Sequence, residues 1–278
     1  MKKMAINRIL VALDTSTANR HILQAAITLA NRLNAQLNAL FIEDADLLKA
    51  AELPFVREVT YGSSSGKTMN VAGMERSIAS QTARLRKLVE TIAQQNQIKI
   101  PFDVLRGNVA HELCNTPGRS DLLVIGKNTL TLGKSQKIGS ITRLVLSSAG
   151  CNLAVLQYGC NIERPVVVSF SGSEASQRAL LLAIELAHED HNQLIVILPA
   201  VDDVTYQQLC RMIQEKIVDQ RLQVSLARLR ENSAEQILSV IQQFHGRIFL
   251  VESDNTFLTQ LQKQALVMQA NIPVILLR

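Results

Sequence analysis

The sequence predicts an α/β protein made of two tandem, doubly wound domains, each built on a five-stranded parallel sheet. Three observations carry this: a segment that repeats, a steady alternation of apolar runs with helix-period segments, and runs that are apolar throughout. Sliding the chain by 157 positions lays 8–30 (RILVALDTSTANRHILQAAITLA) over 165–187 (PVVVSFSGSEASQRALLLAIELA). Val11 then meets Val168, Ser16 meets Ser173, Ala18 meets Ala175, Ala26 meets Ala183 and Leu29 meets Leu186. The copies also share their ends, Leu122–Ile125 with Ile248–Val251 and Asn152–Leu156 with Asn271–Ile275.

The elements follow in order. The first copy reads as strand 7–14, helix 17–33, strand 36–42, helix 71–96, strand 98–105, helix 108–116, strand 121–126, helix 139–149 and strand 152–157. The second reads as strand 164–171, helix 174–189, strand 193–199, helix 203–219, strand 221–229, helix 232–244, strand 247–252, helix 256–269 and strand 272–277. Continuously apolar strands suit a parallel sheet covered on both faces. Asp44–Leu53 reads as a short amphipathic helix. Gly159 and Pro165 punctuate a linker near Tyr158–Arg164, which gives domains at 1–158 and 164–278.

Length and composition agree, since 278 residues suit two domains. Hydrophobic residues at 47% against 19% charged exclude a disordered chain. Trp is absent and aromatics are 4%, which argues against a stacking platform for nucleic acid. No apolar run approaches the roughly 20 residues that span a bilayer. The apolar stretch after Lys2 and Lys3 is cut by Asp14, so no signal peptide is expected. Cys114, Cys151, Cys160 and Cys210 lack metal spacing and fit reduced thiols in a cytoplasm. Lys and Arg outnumber Asp and Glu 19 to 11 in 1–160 but fall behind, 10 to 13, in 161–278. The first copy is therefore the one expected to handle an anion.

A doubly wound sheet binds ligands beyond the carboxyl ends of its strands, at the switch point. There the first copy places Asp14-Thr15-Ser16, then Gly126-Lys127-Asn128-Thr129, then Gly139-Ser140-Ile141-Thr142 opening a helix. Glycines admit phosphate close to backbone amides, and a helix start offers free N–H groups. Lys127, Lys134, Lys137 and Arg143 crowd the segment, and no carboxylate occurs from Lys127 to Cys151. The same composition also describes a solvated basic loop with a helix cap.

The spacing Gly126-x2-Thr129-x9-Gly139-Ser140, with VALDTS at 11–16, VLRGNVAHEL at 104–113 and DLLVIG at 121–126, resembles the universal stress protein family in a tandem two-domain form. Thr129 stands where the family's motif has its second Gly. It closes the site if its φ is positive, and adds a hydroxyl if φ is negative. The resemblance implies a Rossmann-like fold of the adenine nucleotide alpha hydrolase type and a site for ATP or AMP, with Mg2+ as a companion ion. By that resemblance Asp14 and backbone near Phe41 hold adenine and ribose. Ile125, Gly126, Asn128, Thr129, Gly139, Ser140, Ile141 and Thr142 surround the ribose and phosphates.

The second copy has Ser171 in place of Asp14, Glu252 in place of Gly126, and no Gly after Gly246. It is expected to be a structural partner without nucleotide. By resemblance, 152–157 and 272–277 meet at a seam within one chain, an intramolecular pseudo-dimer that can pair further.

Other motifs are weaker. Gly66-Lys67-Thr68 misses the P-loop spacing because position 61 is Tyr. Ser171–Ser176 only faintly resembles a pyrophosphatase loop. His188 and His191 have helix spacing open to a metal but read first as solvated residues at a helix end, and His111 and Cys114 read first as helix surface and small core filler. The expected function is a cytoplasmic stress-response regulator that binds adenine nucleotide and engages an unidentified regulatory protein, with neither nucleic acid nor membrane as partner. No catalytic residue is assigned, and activity extends at most to slow ATP hydrolysis or self-phosphorylation. The alternatives are a nucleotide-free interaction module using Asp44–Gly66, and an ATP-using transferase or ligase.

Overall fold

A computed structural model describes residues 6–53, 57–58, 67–68, 70–127, 140–157, 159, 162, 165–188, 193–217, 221–254 and 257–278. The first half runs β1 (Arg8–Leu13), α1 (Asn19–Leu33), β2 (Gln36–Asp44), α2 (Ala45–Ala51), β3 (Arg57–Glu58), β4 (Lys67–Thr68), α3 (Val71–Gln95), β5 (Phe102–Gly107), α4 (Val109–Asn115), β6 (Asp121–Gly126), α5 (Ser140–Ser148) and β7 (Asn152–Leu156). The second runs β8 (Val166–Ser169), α6 (Glu174–His188), β9 (Gln193–Leu198), α7 (Asp203–Lys216), β10 (Gln223–Arg228), α8 (Ala234–Gln243), β11 (Ile248–Glu252), α9 (Gln260–Gln269) and β12 (Val274–Leu277).

These strands, apart from the small β3–β4 pair, form one ten-stranded sheet in the order β10-β9-β8-β11-β12-β7-β6-β1-β2-β5. Within each half every pairing of this sheet is parallel. The seam between β7 and β12 is antiparallel, with Val155 opposite Val274, Ala154 opposite Ile275 and Leu153 opposite Leu276. The expected meeting of the two fifth strands is therefore present. Its reason is physical, because both strands are buried throughout, and neither could remain an edge without exposing Leu, Ile and Val. Burying each such side chain is worth roughly 1.5–3 kcal/mol.

The antiparallel seam also sets the halves head to tail. The carboxyl ends of the first half's strands lie on the same side of the sheet as the amino ends of the second half's. The core is continuous across the seam on both faces. Leu156 and Leu277 belong to one layer, Leu153 and Leu276 to the other.

The outer strands depart from the expected continuous apolar runs. In β5 Asp103 and Arg106 are exposed, and in β10 Gln223, Ser225 and Arg228 are exposed, because each strand ends the sheet. Cations cover both edges: Arg86 lies 5.0 Å from the Phe102 ring centroid, and Arg228 lies 4.7 Å from that of Tyr206. The third strand also starts later than the expected 98–105. Pro101 has no N–H to give and enters the ladder only through its carbonyl, which accepts from Ala39 N at 2.8 Å.

Candidate functional site

The first half's switch point lies between β1 and β6. From β1 the chain winds toward β2, and from β6 toward β7, so the connections part and leave a crevice. β1 stops at its Leu13–Phe41 pair, whereas β2 continues to Asp44 against β5. The β1-facing edge of Ile42–Asp44 therefore borders the crevice and not another strand.

A cavity of about 180 Å³ opens there. Ala12 to Thr15 and Ile125 come from the strand ends, and Leu40 to Asp44 from β2. Helices supply Leu47 (α2), Ile78 and Gln81 (α3), Val109 and Leu113 (α4), and Ile141 and Thr142 (α5). Five residues singled out from sequence, Asp14, Phe41, Ile125, Ile141 and Thr142, thus line one pocket. Gly126 stands beside it, its carbonyl accepting from Thr142 Oγ1 at 3.5 Å. Ser140 is the first residue of α5. Asn128, Thr129 and Gly139 lie outside the described residues.

The turn after β1 is tightly bonded. Asp14 Oδ1 accepts from Ser16 N at 2.8 Å, and Ser16 Oγ accepts from Ala18 N at 3.3 Å. Asn19, a residue that sequence reading passed over, is 2% exposed and bonds back to this turn. The signal was available, since Asn19 falls on Ser176 in the repeat and both lie in the first turn of a helix. Around the pocket, Glu43 accepts from Thr82 Oγ1 at 3.0 Å and from Arg106 Nε and Nη2 at 3.0 and 2.9 Å, which ties β2, α3 and β5 together. Asn108 Nδ2 donates to Asp46 Oδ2 at 2.7 Å and links the α2 segment to the start of α4.

One member of the expected basic cluster faces elsewhere. Lys127 Nζ donates to the Ala270 carbonyl at 2.9 Å, at the end of α9 in the second half. A cation is favoured at a helix C-terminus. Half-burial holds its pKa below the ordinary lysine value. Lys127 therefore fastens the two halves together and is not aimed at the switch point. Arg143 is exposed on α5, and Lys134 and Lys137 lie outside the described residues.

At the second half's switch point the described side chains bond to one another. Glu252, at the end of β11, is 1% exposed. Ser173 Oγ donates to Glu252 Oε2 and accepts from Ser176 N at 3.0 Å. Glu252 Oε1 has no hydrogen-bond partner among the described residues. Gly172 has φ +86°, and a Cβ there would lie 2.8 Å from Leu209 Cδ2, so α7 packs directly on this turn.

The remaining motifs disperse. His188 ends α6, and His191 and Gly66 lie outside the described residues. His111 is exposed, with Nδ1 3.4 Å from Glu112 Oε1. Cys114 is half-buried, and burial raises its pKa. Among the described residues no cluster of three or more His, Cys, Asp or Glu could hold a metal, and no helix is long and apolar enough to cross a membrane.

Two doubly wound five-stranded units, joined at their fifth strands, with an open pocket at the first switch point, define a tandem Rossmann-like α/β protein. The universal stress protein family profile matches residues 5–157, and the chain belongs to that family. A universal stress protein from Archaeoglobus fulgidus has a similar structure, with TM-score 0.75 and 14% identity over 99% of this chain and 97% of that one. A putative universal stress protein from Pseudomonas aeruginosa matches with TM-score 0.64 and 13% identity over 100% and 95% of the respective chains. At these identities the likeness concerns the fold. Curated proteins offer no match to this chain.

Proposed function

We propose that this chain binds one adenine nucleotide, ATP or AMP, at the first switch point and acts as a nucleotide-responsive stress regulator in the cytoplasm. Its units are 1–158, which carries the site, and 164–278, a built-in structural partner without nucleotide. The observation that supports this reading is the convergence of Asp14, Phe41, Ile125, Ile141 and Thr142 on one pocket.

The residues suit the ligand in parts. Ile125 and Ile141 offer apolar walls to a purine. The free edge of Ile42–Asp44 offers backbone groups to the base. With Oδ1 engaged by Ser16 N–H, Asp14 has Oδ2 to accept from ribose or base. The start of α5 brings a positive dipole end toward phosphate. Asn128, Thr129, Gly139 and Ser140 complete the phosphate cradle by family resemblance, with Mg2+ neutralising the polyphosphate. The reading assigns binding to the site, with at most slow hydrolysis or self-phosphorylation. Nucleotide binding alters a surface that a regulatory protein reads.

Calorimetric titration with ATP and with AMP tests this. Binding heat and a rise in melting temperature are expected; a ligand at 100 times its Kd adds about 2.7 kcal/mol of stability. No heat and no shift at millimolar nucleotide would discard the reading. A second reading, a nucleotide-free interaction module, draws on Leu47 and Leu53, which are 46% and 57% exposed on and just after α2. It predicts that Leu47→Asp abolishes partner binding while nucleotide has no effect.

A further inference from the structure

We infer that Asn19 is a positioning residue of the nucleotide site: its side-chain amide holds the Asp14–Ser16 turn so that Asp14 is presented to the pocket. This rests on the nucleotide reading above and adds a residue to it.

Asn19 is buried and uses its whole side-chain amide on this turn. Nδ2 donates to the Asp14 carbonyl at 2.6 Å and to the Ser16 carbonyl at 3.0 Å. Oδ1 accepts from Asp14 N at 3.3 Å. The Asp14 carboxylate is in turn pinned through Oδ1 by Ser16 N at 2.8 Å. The backbone N–H, the carbonyl and one carboxylate oxygen of Asp14 are thereby fixed, and Oδ2 is the atom that remains for a ligand. The linking residues Thr15, Ser16, Thr17 and Ala18 include neither Gly nor Pro, so the turn has no built-in conformational preference of that kind. Its shape depends on these bonds.

The second half separates positioning from mere helix initiation. Ser176 occupies the equivalent place and is fully buried. Its Oγ donates to the Ser173 carbonyl at 2.9 Å, the counterpart of the Asn19–Ser16 bond. Among the described residues it makes no hydrogen bond to Ser171, the counterpart of Asp14. In the second half, where Gly172 also turns the chain at φ +86°, serine makes the turn-closing bond within the first turn of α6. The longer asparagine adds two bonds, both to Asp14, and it does so in the half whose first loop residue is an acid.

The test uses the full chain with AMP as probe. Asn19→Ser should fold, because the other half already uses serine there, and should weaken AMP binding at least tenfold by calorimetry. The same change in an Asp14→Ala background should alter AMP affinity less than twofold, since Asn19 acts through Asp14. Ligand-free hydrogen exchange supplies a readout that does not depend on residual binding: the Ser16 amide should exchange at least tenfold faster in Asn19→Ser. Equal AMP affinity of Asn19→Ser and wild type, an equal loss in both backgrounds, or unchanged exchange at Ser16 would each overturn the inference. A wild-type chain that binds neither ATP nor AMP would instead sink the nucleotide reading on which it rests.

Discussion

The two switch points occupy the same place in the same fold and have opposite contents. In the first half β6 ends in Gly126, and a pocket opens beside it between Asp14 and Thr142. In the second half β11 ends in Glu252, whose buried carboxylate takes the hydroxyl hydrogen of Ser173. Ser16 and Ser173 are repeat equivalents, yet among the described residues the Ser16 hydroxyl accepts only a local amide, from Ala18. The two copies keep one strand order, and a buried carboxylate stands in the second where the first has a glycine. Among the described residues Glu252 Oε1 is buried without a partner. An unsatisfied buried polar atom costs on the order of 1–3 kcal/mol.

The comparison can be broken in several places. The largest effect is expected at Gly139→Val, which should abolish nucleotide binding by placing a side chain where phosphate meets backbone; calorimetry reads it. Next comes stability. Ser173→Ala strips the buried carboxylate of its donor and should cost about 1–3 kcal/mol in denaturant unfolding. Ser16→Ala should cost no more than about 0.5 kcal/mol, as expected away from such features. Equal costs would mean that the two turns are not differently used.

Lys127→Met should be milder, about 0.5–1.5 kcal/mol for one lost hydrogen bond to Ala270, with AMP affinity unchanged. A large affinity loss would return Lys127 to the phosphate site. The last effect concerns Cys151, at the start of the seam, and is confined to alkaline pH. Burial pushes its thiol up from 9.0 to about 11. Between those values the unfolded chain has released the proton and the folded chain still holds it. The contribution is therefore fully present below pH 9 and is lost as pH rises toward 11. Cys151→Ala should flatten that part of a stability–pH profile.

Much of this architecture was legible in the sequence because buried parallel strands announce themselves as unbroken apolar runs. Leu122–Ile125 and Val274–Leu277 fall inside such runs. The outer strands were less legible, since β5 and β10 mix exposed polar residues with apolar ones that are half-buried or, at Leu226, exposed. The start of β5 was set by a single carbonyl of Pro101 that periodicity does not reveal. At the site, motif spacing found the pocket-lining Asp14 and Thr142 but misread Lys127. Its charge suggested an anion, whereas the antiparallel seam brings the end of α9 within its reach. Asn19 was passed over because a polar residue opening a helix is ordinary, and only its bonds back to Asp14 set it apart.

Whether one half binds nucleotide while the other stays sealed is answered most directly by counting AMP molecules per intact chain by native mass spectrometry. One equivalent is predicted, lost in Gly139→Val and retained in Glu252→Gly. Two equivalents in the wild type, or a single one that survives Gly139→Val, would contradict the assignment.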